Sequence, residues 1–336
     1  MPISSRPTPS LVSAALLALC ACSHAAPRGE SPPFQIEEAS VAQLQAAMAV
    51  GVLTSRELTQ HYLDRIARYD KAGPKLNAFL LLNPRALAEA DALDQERARK
   101  GARGPLHGIP VVLKDNMNTK DLPTTGGSIA FAGAQPQEDA FVVAKLRQAG
   151  AVLLGKGNLH ELARAGTTVS SLGGQTLNPY DLARTPGGSS GGPAAAVAAN
   201  MAAVSLGSDT VNSIRSPASA CDLVGLRPTR GLVSRSGIIP AALTQDMAGP
   251  ITRTVADAAA VLEAIQGFDP KDGTTDAVRG KDLPDYAASL DKSGLRGARI
   301  GVLRSFFGQK PEHAEVNRVT DAAIARMKEL GAEPVE

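Results

Sequence analysis

The sequence has no Trp and only 7 Phe and 4 Tyr among 336 residues. It also lacks a dominant charge: 35 Lys plus Arg face 33 Asp plus Glu, a formal charge of +2. No block of five or more like charges occurs, so neither the basic footprint nor the stacking platforms of a nucleic-acid binder are present, and no nucleic-acid partner is expected. Cysteine is scarce. Of three, Cys20 and Cys22 lie near the N-terminus, which leaves Cys221 alone in the body and excludes a disulfide framework or a cysteine metal cluster. His24, His61, His107, His160 and His313 show no paired ligand spacing, so no metal site is expected. No stretch reaches 18 consecutive apolar residues, and no period of 20 to 50 residues recurs. What remains is an ordinary globular balance, 43% hydrophobic and 20% charged.

Residues 1–26 read as a processing segment: Arg6, an apolar run from Leu11 to Cys22, then the small-residue context Ser23-His24-Ala25. That run is too short to span a bilayer. Leu19-Cys20-Ala21-Cys22 also resembles a bacterial lipoprotein box, in which Cys22 carries lipid and forms the chain's one membrane link. Either form predicts an exported protein, whether periplasmic, secreted or lipid-anchored. Residues 27–336 form the expected body.

Hydrophobic spacing organises that body. Val41, Leu44, Met48 and Val52 fall near a 3.6 period, and Thr54-x-x-Glu57 is a capping box for a second helix carrying Leu58, Tyr62, Ile66 and Tyr69. Ala78 to Leu82 reads as a strand, and Pro84 opens a charged helix to about Lys100. Ile109 to Leu113 and Ala151 to Leu154 are continuous apolar strands flanking a helix over 139–149, the pattern of a parallel βαβ unit. An Ala-rich helix to about Ala203, a strand Val204 to Leu206, and a helix capped by Thr254-x-x-Asp257 and stopped at Gly267 follow. The expected fold class is α/β, a mixed, largely parallel sheet with helices on both faces. A strand Arg299 to Leu303, a helix with Val316, Val319, Ile324, Met327 and Leu330, and a strand starting at Glu333 close the sequence. The last strand begins as the chain ends, which predicts a C-terminally truncated domain.

Three features attract a chemical reading. Lys114 ends the apolar strand 109–113. An ordinary lysine is neutral in only about 1 molecule in 2,500 at pH 7, a penalty of about 4.6 kcal/mol, and burial can bring it to the range of a general base. The alternative is a lysine that reaches solvent or pairs with Asp115. The run Pro186-Gly187-Gly188-Ser189-Ser190-Gly191-Gly192-Pro193 lets backbone approach a ligand closely, with Pro193 where a helix starts; the plain alternative is a Gly/Ser turn. Gly207 to Arg215 places serines at the mouth of a strand, where a nucleophile and N–H donors stand, or where a loop serine merely caps a helix. Gly188-x-Ser190-x-Gly192 matches a nucleophile elbow with His313 following, but residues 178–186 are polar and turn-like where an elbow needs a strand. Ser289-x-x-Lys292 lacks the partner motifs of its class.

In order, GIPVVLKDN, TTGGS (124–128), GAVLLGKGNLHE (150–161), PGGSSGGPAAAVAAN, SDTVNSIRSPA, VGLRPTRGLVS and AGPITRTVADA resemble the amidase signature family, whose enzymes use a Ser, cis-Ser and Lys triad. The likeness runs from about residue 40 to the end. It implies Ser213 as nucleophile, Ser189 as the cis-serine that relays the proton, Lys114 as base, and Ser190 as a supporting hydrogen-bonding residue grouped with the substrate- and oxyanion-binding positions. Thr210, Val211, Asn212 and Ser213 would then supply oxyanion donors, with no metal or organic cofactor. Where many members carry glycines before the nucleophile this chain has Val211-Asn212, so a reshaped oxyanion loop is expected. The implied activity is hydrolysis of a small or peptide amide. An amidotransferase A-type subunit, or a non-catalytic amide-binding fragment, are the alternatives.

Overall fold

A computed structural model describes residues 34–336; the leader and lipid-anchor readings fall outside the described residues. Chain order is α1 (Val41–Ala49), α2 (Ser55–Tyr69), β1 (Phe79–Leu82), α3 (Ala86–Lys100), β2 (Pro110–Lys114), α4 (Phe141–Gln148), β3 (Val152–Gly157), β4 (Val169–Ser170), β5 (Gly174–Gln175), α5 (Gly191–Ala198), β6 (Val204–Asp209), α6 (Arg215–Ala220), β7 (Val224–Gly225), β8 (Met247–Thr252), α7 (Val255–Ile265), β9 (Arg299–Gly301), α8 (Ala314–Glu329) and β10 (Glu333–Val335).

Local chemistry sets the helix ends. Ser40 with Gln43 and Thr54 with Glu57 form reciprocal capping boxes at α1 and α2. Two expected helices stop early for a visible reason. α1 ends at Ala49 because Gly51 takes a positive φ, so Val52 is exposed rather than on the buried face. The Ala-rich helix α5 ends at Ala198, not Ala203, because Asn200 adopts the left-handed conformation that closes a helix.

The main sheet has six strands in the order β1-β3-β2-β6-β8-β7. Its centre, β3-β2-β6, is parallel, while β1, β8 and β7 each pair antiparallel with their neighbours. β1 and β8 therefore run against the other four. Every residue of β2, β3, β6 and β8 is buried, as central strands covered on both faces require. α3 packs on β3, α7 on β8, and α5 lies against β2, β6 and β8, its small side chains allowing close approach. β9 and β10 pair in parallel around α8 as a separate two-stranded sheet. Among the described residues no helix is long and apolar enough to cross a membrane.

A buried ion pair locks the loop after β2. Lys156 on β3 reaches Asp115 at 2.9 Å and donates to Thr124 Oγ1 at 2.8 Å and the Pro123 carbonyl at 3.0 Å. The other Asp115 oxygen accepts from the Thr125 backbone N–H at 3.0 Å. Asp115→Asn would leave the Lys156 amine in the interior without its counter-charge and should cost about 3–5 kcal/mol in urea unfolding. Arg318→Ala, which breaks an exposed pair with Glu315, should leave the midpoint unchanged.

Candidate active site

Parallel pairing brings the chemistry to one edge of the sheet. β2 and β6 run side by side with Leu113 opposite Leu206, so the next residues, Lys114 and Gly207, emerge together at the carboxyl ends of the strands. In open α/β sheets that edge is where ligands bind. The 186–190 loop reaches the same place ahead of α5. Gly187 turns this loop at φ +71°, where a Cβ would also come within 2.9 Å of the Pro217 backbone. Gly207 is held small for a different reason: a Cβ there would lie 2.9 Å from Ser190 Oγ.

Lys114 is fully buried, and its amine touches three oxygens: Ser189 Oγ at 2.6 Å, Ser208 Oγ at 2.9 Å and the Ser208 carbonyl at 3.2 Å. The alternative pairing with Asp115 does not form. Successive side chains leave a strand on opposite faces, and Asp115 turns to Lys156. Burial pushes Lys114 down from its ordinary 10.5 to about 7, and the carboxylates of Asp209 and Asp246 counter this only in part. A buried lysine in that range supplies a neutral amine at neutral pH.

The peptide bond joining Gly188 to Ser189 is cis. Ser189 is fully buried, with its carbonyl accepting from the His160 N–H at 3.0 Å. Ser190 is buried too, and its hydroxyl serves another residue's backbone. It donates to the Ser208 carbonyl at 3.1 Å and accepts from the Ser208 N–H at 3.3 Å, which fixes the residue that holds Lys114. The expected substrate- or oxyanion-binding role of Ser190 is thus corrected: its hydroxyl is spent on the Ser208 backbone, which makes it a support. The elbow alternative is not assembled: no strand precedes Ser190, and His313 Nδ1 accepts from the Lys310 N–H in a short turn before α8.

Ser213 sits in the turn before α6, its carbonyl accepting from the Ser190 N–H at 3.3 Å. Its hydroxyl has no hydrogen-bond partner among the described residues, yet it is not an enclosed orphan, because it opens on a cleft lined by residues 163–166, 210–213 and 241–242. The N–H groups of Val211, Asn212 and Ser213 have no acceptor among the described residues either. The expected reshaping of this turn is not a strained one, since neither Val211 nor Asn212 has a positive φ. Asp209 staples the turn from below. Fully buried, it accepts from the Ile214 N–H at 3.0 Å and pairs with Arg215 and Arg227. Thr210 Oγ1 donates to Asp246 at 2.5 Å, so the threonine hydroxyl is committed while the neighbouring backbone stays open. A second cavity, lined by Asn116, Ser208, Ile238 and Met247 among others, meets the first at Thr210 and Ala241.

Asn116, Ser208 and Asp209 fall within the GIPVVLKDN and SDTVNSIRSPA blocks, but the resemblance gives none of them a site role. Their one signal is position: Asn116 lies two residues beyond Lys114, and Ser208-Asp209 end the adjacent strand. Cys221 is no rival nucleophile, because burial pushes its thiol up to about 12.

The arrangement can pass a proton from a serine hydroxyl to an amine beside a second serine that faces a cleft with free N–H donors. Comparison with known proteins gives the same class. The amidase family model matches residues 57–336. The chain belongs to the amidase signature family. It is 45% identical over 298 residues to the A-type subunit of the glutamyl-tRNA(Gln) amidotransferase of Prochlorococcus marinus, a match covering 88% of this chain and 60% of that protein. The native peptide amidase of Stenotrophomonas maltophilia superposes with a TM-score of 0.84 at 48% identity, over 90% of this chain and 63% of that one. The A-type subunit of the glutamyl-tRNA(Gln) amidotransferase of Thermotoga maritima gives 0.75 at 34% identity, over 90% and 61%. The chain thus spans about 60% of the length of these relatives.

If Lys114 acts as the neutral base, kcat/KM must rise with pH through an acid limb near 7 and fall about tenfold per unit below it. A profile flat from about pH 5 to 8 would contradict that role.

Proposed function

We propose that this chain is an amidase that hydrolyses a carboxamide to a carboxylate and ammonia or an amine through an acyl-enzyme on Ser213. The observation that carries the reading is the 2.6 Å contact between Ser189 and a buried lysine whose pKa burial brings to about 7. Lys114 Nζ takes the Ser189 proton as Ser189 Oγ takes that of Ser213, and Ser213 Oγ adds to the amide carbon. The oxyanion meets the free N–H groups of Val211, Asn212 and Ser213, donors of a kind worth about 3–4 kcal/mol each. The relay then runs backwards, protonating the leaving nitrogen as the C–N bond breaks. Water enters by the same base, and the ester is hydrolysed with the catalyst restored.

Substrates of this reading are peptide amides or small organic amides, and the likeness to a peptide amidase favours the former. The apolar run Leu11 to Cys22 favours action outside the cytoplasm. Ammonia release from a panel of peptide and small carboxamides tests the reaction. Ser213→Ala and Lys114→Ala should each lower turnover by at least about 10⁴-fold, and full activity in both would overturn the proposal. The 45% identity to an amidotransferase component favours one other reading, in which a partner protein receives the ammonia. Co-purification of such a partner, with turnover of glutamine only in its presence, would select that reading.

A further inference from the structure

Three oxygens surround the Lys114 amine, and a neutral amine has two N–H groups and one lone pair to distribute among them. The Ser208 carbonyl can only accept, so it takes one N–H. The remaining N–H and the lone pair are divided between the hydroxyls of Ser189 and Ser208. Only one division is productive: the lone pair must face Ser189, because a lone pair occupied by the Ser208 proton leaves the relay without a base. Something must therefore keep the Ser208 proton away from the lysine.

Asn116 is the neighbour placed to do so. It is 2% exposed, and its amide nitrogen lies 2.9 Å from Ser208 Oγ. The other end of the same amide, Oδ1, is buried with no partner among the described residues. The two ends of a carboxamide are nearly equal in size, so a half-turn about χ2 exchanges them with little other movement. With Oδ1 toward Ser208, the serine proton has a carbonyl to meet, and its lone pair is free for the lysine N–H. With Nδ2 toward Ser208, the lysine nitrogen is the one acceptor within hydrogen-bond distance of that proton among the described residues.

We propose that Asn116 is a positioning residue: by presenting its amide carbonyl to Ser208 it makes that hydroxyl an acceptor toward Lys114 and turns the lysine lone pair onto Ser189. This rests on the amidase reading above and adds to it a control on the direction of the proton relay.

The test is a set of variants followed by kcat, KM and pH profile. Asn116→Ala should lower kcat at least about tenfold with KM nearly unchanged. Ser208→Ala should behave alike, and the double variant should be no worse than Ser208→Ala, because Asn116 acts through Ser208. Asn116→Asp supplies the discriminating readout. A carboxylate can only accept, so it keeps the Ser208 proton and should restore kcat at alkaline pH. Added to Asp209 and Asp246, it also favours the charged lysine and should move the acid limb upward by roughly one unit. Multiplying losses in the double variant, or an Asn116→Asp enzyme as slow as Asn116→Ala at every pH, would overturn the proposal. Should Asn116→Ala fail to fold, Asn116→Ser takes its place. A wild-type chain that turns over no carboxamide defeats the amidase reading alone. The orientation is then read from the ¹⁵N titration of Lys114, whose midpoint should fall in both single variants and no further in the double. An unmoved midpoint would overturn the inference.

Discussion

A primary amine held out of water is the constraint on which the site depends. Desolvation brings Lys114 into a range where a neutral fraction exists at pH 7, and that gain survives only if every hydrogen-bonding valence of the nitrogen finds a partner. Three segments distant in sequence meet to provide those partners: the end of β2, the loop before α5 and the end of β6. Parallel pairing of β2 and β6 makes this possible, since antiparallel neighbours would send Lys114 and Ser208 to opposite edges. The closest contacts then follow from small residues, Gly207 beneath Ser190 and the alanines of α5 against the sheet.

Two buried carboxylates divide the structural labour around that amine. Asp115 faces away from it and ties the 119–128 loop to β3 through Lys156. Asp209 sits at the base of the 209–215 turn and holds it with one backbone bond and two arginines, leaving the N–H groups above it unoccupied. Neither makes the close contact to Lys114 that would hold it charged. Between them they leave the Lys114 amine and the open N–H groups of the 211–213 turn available at one edge of the sheet.

Much of this was legible in the sequence, because the signals are local. A lysine after five apolar residues, a Gly-rich loop before an Ala-rich helix, and a serine turn after a strand each mark one corner of the site. Capping boxes at Ser40 and Thr54 likewise lie within four residues. The rest was not, for reasons equally physical. Whether Lys114 pairs with Asp115 depends on strand alternation and on a lysine on the neighbouring strand. The link from Ser190 to Ser208 joins residues 18 apart across a helix and a strand, and Asn116 meets Ser208 from 92 residues away. No spacing rule carries such pairings. The helix ends at Ala49 and Ala198 were hidden because single left-handed residues, Gly51 and Asn200, outweigh a favourable apolar pattern.

The most direct test of the account is reaction of the chain with a fluorophosphonate serine probe, followed by peptide mapping of the adduct. Labelling at Ser213, abolished by Lys114→Ala, is the expected result. Labelling at Ser190, or labelling of Ser213 that is indifferent to Lys114, would contradict it.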